Sequence, residues 1–462
     1  WVSTLAQDRA PLPHLPVSCV PPFEAASPIV ALMSLRSCIS LAVLLAAVAV
    51  GYLLGTTPNI FGKPSGIEGD SADDLPSWPM YTLGGMMGDV LVQSVKLMPP
   101  RFQIAAISTA YWQSEVLYTL AKWGIFDAIE EATSSSISPA EGGTSAASGL
   151  TSCAVIAETL GELNADILCR YMRAGAGLGL LTMAPEDGRV LSPSELRFGL
   201  TAAGKLLRAV PGGMRDFAMY MNEESRDAFR SAGLSSVSSG RSGFVEAFGE
   251  EHFAWHEHHS EMQRRFDAVM TSLTPVHVTP LLGDWKPPAA NSTVCDIGGG
   301  QGHLLAKILQ QFPETRGWVA DQSSVVNRSS AFLKSRGLGD RGTAVAADLL
   351  APMPQELVAC DVFVLKLILH DWADAQAVAI LRNIARIART GARLDIVDRV
   401  LGEGSAIEVN DGWLQDLHMH ANHGARERTL AEFQDVVRRA GLQSEVQPTR
   451  LRSAMWLLQI GL

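Results

Sequence analysis

The chain has 462 residues, 47% of them hydrophobic, which is enough apolar material for two domain cores besides an N-terminal extension. Its net charge of −11 argues against a nucleic-acid partner, because binding to phosphates needs a basic surface. The six cysteines show no paired spacing, so we expect neither a disulfide framework nor a zinc site. Cys295 and Cys360 fall in predicted buried strands, where a thiol packs as a small hydrophobic group.

The N-terminal extension, residues 1–100, contains one strongly apolar segment, residues 39–54. This segment is short for a membrane-spanning helix, which needs about 17–25 residues, and it suits a signal anchor or the core of a signal peptide. We expect Met33 to be the true start and the segment to tether the protein to a membrane, with residues 56–100 as linker. One alternative is a cleaved signal or transit segment. The other is a gene-model artefact, and only then would the protein be expected in the cytoplasm.

Residues 101–275 are predicted to be mainly helical. Residues 111–127 have apolar side chains at helical spacing and contain a glycine stop, and a second helical pattern runs through residues 165–181. The Ser/Gly-rich stretch 133–152 is predicted to be a loop without chemistry of its own.

The remainder of the chain alternates strand and helix patterns, which predicts an α/β domain built on an open, doubly wound sheet. Helices are expected at 375–390 and 430–440, and the last two strands are expected to form a hairpin that gives the sheet an antiparallel edge. The predicted strands lie near residues 293–298, 316–321, 342–348, 361–369, 392–399, 443–448 and 455–461.

A glycine-rich turn follows the first of these strands, where Gly298, Gly300 and Gly302 come after Asp296. Glycine lets the backbone approach a ligand closely, and the carboxyl ends of strands are where open α/β sheets bind ligands. An acid before the turn suits an ammonium or sulfonium group and not a phosphate. Asp321, at the end of the next strand, can bind both hydroxyls of a ribose. The alternative is an ordinary turn with a solvent-facing acid.

A histidine ends the fourth predicted strand, in the segment LKLILHDW (365–372). His370 is therefore expected on the same rim of the sheet as the glycine turn. A neutral imidazole, with an ordinary pKa near ~6.5, can accept the proton of a phenol or an indole. The alternative is a histidine that only caps or packs.

Together these segments resemble the plant and fungal class of S-adenosylmethionine-dependent O-methyltransferases, the caffeate and hydroxyindole type. The resemblance covers about residues 101–462 and implies a Rossmann-like, seven-stranded methyltransferase domain at 276–462. It also implies a winged-helix-like dimerisation domain at 101–275 and a homodimer in which each subunit completes its partner's substrate pocket. The matching segments are DIGGGQG (296–302), VAD (319–321), AADLL (346–350), LKLILHDWAD (365–374), DLHMHANHGARERTLAEF (416–433) and RRAGL (438–442).

The resemblance further implies roles for single residues. His370 would be the general base that takes the proton from a hydroxyl of a small aromatic acceptor, braced by Asp398 and Glu427, with no metal required. Within the cofactor site, Gly298 would lie against the methionine part and Asp321 would hold the ribose. The residues implied to bind S-adenosylmethionine are Asp296, Gly298, Gly300, Asp321, Asp348, Leu349 and Lys366.

The chain departs from the family pattern at three places. The usual Leu-Pro after the ribose acid is Gln322-Ser323 here, and the usual Gly-Gly-Lys-Glu-Arg-Thr reads GARERT (424–429). The first bracing acid is usually Glu, and the shorter Asp398 could still orient His370 through a water molecule.

Two histidine clusters raise the question of a metal, one in segment 252–259 and one in segment 418–423. His252, His256 and His259 share one face of a predicted helix. The likeness to an HExxH zinc motif is superficial, because no Glu follows the first histidine. We expect a polar helix face or a contact with substrate there, and we expect His418, with Met419, to line the acceptor pocket.

Other classes of function stay open at this point. The fold could serve as a non-catalytic dimeric scaffold or carry out a different cofactor-dependent reaction, but the intact Asp321, Lys366, His370 and Glu427 argue against both. Methyl transfer to nitrogen or carbon is an alternative that the same base and cofactor could serve. Phenylpropanoids, flavonoids, indoles and polyketide phenols all remain candidates for the acceptor.

Overall fold

The structure is a computed structural model that describes residues 82, 86, 89, 90, 92, 94–135, 149–161, 163–184 and 195–462. The predicted anchor, residues 39–54, and the start proposed at Met33 lie outside the described residues. Within the described part of the chain, no helix is both long enough and apolar enough to cross a membrane.

The first half of the described chain is helical, as predicted. Its helices and two short strands are, in order, α1 Pro100–Thr109, α2 Tyr111–Lys122, α3 Ile125–Ser135, α4 Cys153–Leu160, α5 Ala165–Gly177, β1 Leu181–Ala184, β2 Arg197–Leu200, α6 Ala202–Leu206, α7 Arg215–Asn222, α8 Glu224–Ser231, α9 Val237–Ser239, α10 Gly243–Phe248, α11 His252–His258, α12 Ser260–Ser272 and α13 Thr274–Asp284. The domain boundary predicted at 275/276 falls within α13 and remains a prediction.

Local sequence explains where several of these helices begin and end. Ser152 and Asn164 cap α4 and α5, because their side-chain oxygens accept hydrogen bonds from backbone N–H groups of the first turn. The predicted glycine stop after α2 is Gly124, whose φ of 69° favours glycine. Helices α3–α5 then pack around fully buried Phe126 and Met172, beside the antiparallel pair β1–β2. Helices followed by such a pair agree with the expected winged-helix-like arrangement.

The second half forms a seven-stranded sheet of order β5-β4-β3-β6-β7-β9-β8. All seven predicted strands are present, which confirms the Rossmann-like fold class. The elements are β3 Thr293–Ile297, α14 His303–Gln311, β4 Arg316–Asp321, α15 Ser323–Ser335, β5 Gly342–Ala346, β6 Val362–Lys366, α16 Asp374–Ile387, β7 Arg393–Arg399, α17 Ala406–His423, α18 Leu430–Arg439, β8 Gln447–Arg450 and β9 Met455–Gly461.

The sheet is parallel from β5 to β7, and β9 pairs antiparallel with β7 on one side and with the edge strand β8 on the other. The central strands are buried on both faces, since helices cover each side, and this explains their unbroken apolar sequences. The chain adds β4 and β5 on one side of β3 and then crosses over to add β6 and β7 on the other side, so the order of the strands reverses at β3. The carboxyl ends of these strands therefore open a crevice where a ligand can bind.

Two cysteine pairs contradict the expectation that the chain has no disulfide. A disulfide between Cys153 and Cys169 links α4 to α5. A second, between Cys295 and Cys360, links β3 to the segment that leads into β6. The Cα–Cα distances of 5.3 and 5.9 Å are in the range that a disulfide spans. Both pairs join neighbouring elements of the fold, with separations of 16 and 65 residues, so sequence spacing alone did not reveal them.

Candidate active site

The glycine turn between β3 and α14 is shaped by backbone conformations that favour glycine. Gly298, Gly300 and Gly302 have φ values of 69°, 57° and 87°. A Cβ atom on Gly298 would lie only 2.4 Å from the Cδ1 atom of Ile368, so a larger residue would require the Ile368 side chain to move. Because glycine has no side chain, the half-buried turn leaves its backbone accessible to a ligand at the carboxyl end of β3.

Two acids flank this turn, as predicted. Asp321 accepts a hydrogen bond from the backbone N–H of Gly300 at 2.8 Å, which ties the end of β4 to the turn. Asp296 is buried at the base of the turn, and its Oδ2 atom has no hydrogen-bond partner among the described residues. Burial raises the pKa of Asp296 to about 7, although the positive charge of Lys366 opposes the shift. The unpartnered Oδ2 atom is suited to a cationic ligand.

Lys366 ends β6 between the cofactor acids and the predicted catalytic acids. Burial lowers the pKa of its ammonium group, and the charges of Asp296 and Asp398 oppose this effect. The next residue, Leu367, has a φ of 55°, a conformation that costs a branched side chain about 1–2 kcal/mol. This strained turn leads directly to the short 3₁₀ segment that carries His370.

His370 is buried and faces both predicted bracing acids with its Nδ1 atom. The Nδ1–H donates a hydrogen bond to Glu427 Oε1 at 3.0 Å. Asp398 Oδ1 lies 3.6 Å from the same nitrogen, which is too long for a direct hydrogen bond. Its Oδ2 atom has no partner within the described structure. This gap agrees with the expectation that the shorter acid could act through a water molecule.

The charges around His370 favour its protonated form. Burial alone would lower the pKa of the imidazole, but Asp398, Glu427 and Asp371 outweigh burial and raise the pKa to about 10. Asp371 lies on the other side of the ring, with Oδ1 3.6 Å from Nε2. Burial in turn raises the pKa of Asp398 to about 7 and that of Asp371 to about 6. The site thus holds one imidazole among three carboxyl groups.

Sequence reasoning missed Arg428, which holds this arrangement in place. Its guanidinium is fully buried and donates hydrogen bonds to the backbone carbonyls of Leu369 and Trp372 at 2.6 and 2.7 Å, and to Asp374. Arg428 therefore fixes the turn on both sides of His370, and its neighbour Glu427 contacts the ring. The signal in the sequence was an arginine within the segment that carries the bracing acid.

Asp348 and Leu349 follow β5 at the same edge of the sheet as Asp321. The Asp348 side chain is exposed and accepts a hydrogen bond from the backbone N–H of Leu350 at 2.9 Å. Leu349 is half-buried, and its carbonyl accepts a hydrogen bond from Asn383. Their predicted position beside an adenine ring is consistent with this edge and remains a prediction.

The predicted histidine face of α11 is not solvated. His252 and His256 are 1% exposed, whereas His259 lies beyond the end of the helix and stacks on Trp255. Burial lowers the pKa of His418, on α17, to about 4, and the positive charge of the nearby His370 lowers it further. Its predicted place at the acceptor pocket remains a prediction.

His370, Asp398 and Glu427 could in principle hold a metal, since one potential ligand atom of each lies within 4.8 Å of the others. The Nδ1 atom that would bind the metal is already hydrogen-bonded to Glu427. A metal there would have to displace the proton that lies between His370 Nδ1 and Glu427, because a ligand nitrogen must be free of its proton.

The residues of the glycine turn fit S-adenosylmethionine. The unpartnered Asp296 oxygen suits its positive charges, and the position that a Cβ would take on Gly300 has no atom within 4 Å, which leaves space for a ligand. Asp321 stands at the end of β4, where a ribose can be bound by a carboxylate. The third glycine, Gly302, comes one residue earlier than in the dinucleotide-binding fingerprint, whose turn faces a pyrophosphate.

Comparison with known proteins identifies the family. Residues 233–443 match the O-methyltransferase domain family. Phenazine O-methyltransferase PhzM of Lysobacter antibioticus is 34% identical over 345 residues, which cover 74% of this chain and 91% of that protein. Phenazine-1-carboxylate N-methyltransferase of Pseudomonas aeruginosa is 26% identical over 340 residues, covering 73% and 91%. The crystal structure of LaPhzM matches with a TM-score of 0.66 at 30% identity, covering 79% of this chain and 99% of that chain.

The similarity spans nearly the whole length of these relatives and includes both halves of the described chain. The chain therefore belongs to the O-methyltransferase family and is an S-adenosylmethionine-dependent O-methyltransferase.

Proposed function

We propose that the enzyme methylates a hydroxyl group of a small aromatic acceptor and that His370 is the general base. The observation that carries this proposal is the hydrogen bond of 3.0 Å between His370 Nδ1 and Glu427. Because Glu427 holds the proton on Nδ1, the neutral ring keeps its lone pair on Nε2. That nitrogen can then accept the proton of an acceptor hydroxyl.

The electrostatics supply a condition for this role. A pKa of about 10 means that His370 is an imidazolium in the free enzyme at neutral pH, and an imidazolium cannot accept a proton. When bound, the cofactor supplies a methyl group on a cationic sulfur. A positive charge near His370 opposes the effect of the three carboxyl groups and lowers the pKa of the ring. We propose that this coupling makes the base competent only when the cofactor site is filled.

The cofactor residues in this proposal are those named from the sequence. Asp296 would face the positive end of S-adenosylmethionine, Asp321 the ribose, and Lys366 the space between cofactor and base. Gly298 and Gly300 provide the backbone surface, while Asp348 and Leu349 would flank the adenine. All seven residues lie on the same rim of the sheet, and this shared position supports their assignment to one cofactor site.

An aromatic acceptor is supported by aromatic side chains that His423 and Asp371 connect to His370. Phe266, from α12, lies beside His252, and Phe253, from α11, lies beside His423, which in turn adjoins Asp371. Such a wall suits a flat ring system. The two relatives compared above are named for phenazines, which are flat aromatic molecules. One of them transfers methyl to nitrogen, so an N-methyl acceptor is the second candidate.

We further propose a homodimer formed through a helical domain at 101–275, with the catalytic domain at 276–462. Helix α1 has no buried residue, and Phe102, Ile104 and Ile107 on it are each at least 65% exposed. Apolar side chains exposed in this way mark an interaction surface. Sedimentation of the full chain would test the dimer. Membrane tethering through residues 39–54 is a separate proposal, tested by washing membranes with carbonate and locating the full-length protein.

The proposed reaction is tested by transfer of a labelled methyl group from S-adenosylmethionine to a panel of phenols, hydroxyindoles and aromatic amines. Labelled product from the hydroxyl compounds supports the proposal. Label found only in the amines would replace it with N-methylation. Tight cofactor binding without any transfer would mean that the acceptor class is wrong.

A further inference from the structure

Three buried imidazoles stand together where the helical half meets α17. The ring centroids of His252 and His256, on α11, are 4.3 Å apart, and His423, at the end of α17, lies 4.4 Å from His252. Phe253 and Phe266 enclose these rings with edge-on and tilted contacts. We call His252, His256 and His423 the imidazole cluster.

The imidazole cluster has hydrogen-bonding capacity that the protein does not use. Within the described residues, His252 Nδ1, both ring nitrogens of His256 and His423 Nδ1 are buried without a hydrogen-bond partner. His252 Nε2 is hydrogen-bonded at 3.0 Å to the hydroxyl of Tyr220. Buried polar groups in native proteins are normally paired, so unpaired ones call for a ligand or ordered water.

The imidazole cluster begins beside the reactive nitrogen of the base. Asp371 Oδ1 lies 3.6 Å from His370 Nε2 and 3.9 Å from His423 Nε2. The two histidines therefore flank one carboxylate oxygen. The imidazole cluster therefore adjoins the base through Asp371.

The charge state of the imidazole cluster restricts what it can bind. Burial lowers the pKa of His256 to about 4 and those of His252 and His423 well below their usual range, so the rings are neutral. A neutral imidazole offers one donor and one acceptor. The titratable groups that face the cluster include Asp371, His370, His418 and, beyond Tyr220, Glu224 with its partner Arg265. The two acids disfavour an anionic substituent.

We propose that the imidazole cluster is a recognition subsite for a neutral oxygen substituent, a second hydroxyl or a ring carbonyl, on the aromatic acceptor. The substituent would be a ring away from the hydroxyl that is methylated, and the unpaired nitrogens would donate to it or accept from it. This inference rests on the proposed methylation of an aromatic hydroxyl. It adds a selection rule, namely that acceptors with two oxygens separated across a fused ring system are preferred over those with one.

The test measures binding, so that it does not depend on turnover. Calorimetric titrations of the full-length enzyme, loaded with S-adenosylhomocysteine, would compare 1-naphthol with 1,5-, 1,6- and 1,7-dihydroxynaphthalene. We expect at least one dihydroxy isomer to bind 3- to 10-fold more tightly than 1-naphthol. His252→Phe, which keeps a ring of similar shape, should reduce that preference to less than 2-fold and leave the affinity for 1-naphthol nearly unchanged.

His258→Phe is the matched control, because His258 lies on the same helix and is exposed. It should leave the preference unchanged, and unaltered affinity for S-adenosylhomocysteine will show that both variants are folded. The inference is overturned if no dihydroxy isomer is preferred, if the preference survives His252→Phe, or if none of the four compounds binds. Stronger binding of 1-hydroxy-2-naphthoate with uptake of a proton would replace it with an anionic subsite. Binding without methyl transfer would refute the proposed function alone.

Discussion

Replacing Glu427 by Gln should move the pH dependence of catalysis in a direction that only a base role explains. The substitution keeps the shape of the side chain and removes the charge that lies 3.0 Å from His370 Nδ1. A hydrogen bond to a charged group contributes roughly 1.5–3 kcal/mol. At 1.36 kcal/mol per pKa unit, the pKa of His370 should fall by about one to two units from its raised value.

The consequence for the rate follows from the protonation state of the base. Below its pKa His370 carries a proton and cannot accept another, so activity rises with pH through that pKa. In Glu427→Gln this rise should therefore occur at lower pH, by about one to two units. The plateau rate should fall roughly 10- to 100-fold, because the ring is a weaker base and is held less firmly.

The assay is formation of S-adenosylhomocysteine from pH 6 to pH 10.5 with one phenolic acceptor. Ionisation of the acceptor affects both enzymes equally, so the difference between the two profiles reports the protein. Asp435→Asn is a suitable control, since this half-buried acid on α18 pairs with Arg438 and Arg439 at the surface. An unshifted profile in Glu427→Gln, or a shift to higher pH, would refute the assignment of Glu427 as the partner of the base.

Further predictions concern the cofactor site, the second acid and the metal. Gly298→Ala should weaken binding of S-adenosylmethionine at least ~10-fold by calorimetry, because its Cβ would meet Ile368; Gly337→Ala, with a similar φ but open space, should only lower stability, by about 1–2 kcal/mol. Asp296 has a folded-state pKa of about 7, above its unfolded value, so its contribution to stability is lost as pH rises through 7. Asp296→Asn should thus gain in Tm relative to the wild type from pH 4 to pH 8 in thermal melts. Asp398→Asn should reduce kcat less than Glu427→Gln, since no direct hydrogen bond is lost; an equal loss would show that Asp398 contacts the ring during catalysis. Dialysis against EDTA should leave methyl transfer unchanged, and a loss restored by a divalent metal would contradict the base mechanism.

Much of the fold was predictable because the sheet strands are continuous apolar segments separated by amphipathic helices. The bounds of β4 and β9 agree with the predictions to within a residue. The rim on which Asp296, Asp321 and His370 meet also follows from sequence, because the carboxyl ends of parallel strands lie at one edge of a sheet. The order of the motifs along the chain was therefore sufficient to predict that these residues share one rim of the sheet.

Features that depend on packing between distant segments were not predictable. The disulfide pairing of Cys295 with Cys360 arises only because β3 and β6 are neighbours. The sequence shows an arginine beside the bracing acid, but the partners of Arg428 are Asp374 and the backbone carbonyls of Leu369 and Trp372, more than 50 residues away, and only the fold brings them together. The burial of His252 does not follow from the sequence of α11, which shows a polar face. The aromatic side chains that cover His252 come partly from α12 and α17.

The strained Leu367 is a further case, because its backbone conformation cannot be inferred from a leucine in an apolar strand. Its φ of 55° turns the chain at the end of β6 and directs the next residues toward the site. Ile368 then contacts Gly298 and His370 contacts Glu427, so one turn shapes both the cofactor crevice and the base.

The most direct test of the account is a single-turnover measurement of methyl transfer by the wild type and His370→Gln, with saturating S-adenosylmethionine and a phenolic acceptor. The variant keeps a polar side chain of similar size in a site that is fully formed around it. We predict a rate at least ~100-fold below that of the wild type, with S-adenosylmethionine bound at least as tightly, because the variant lacks the imidazolium that opposes the positive charge of the cofactor. A variant that transfers methyl at the wild-type rate would show that His370 is not the base and that positioning of the acceptor alone accounts for catalysis.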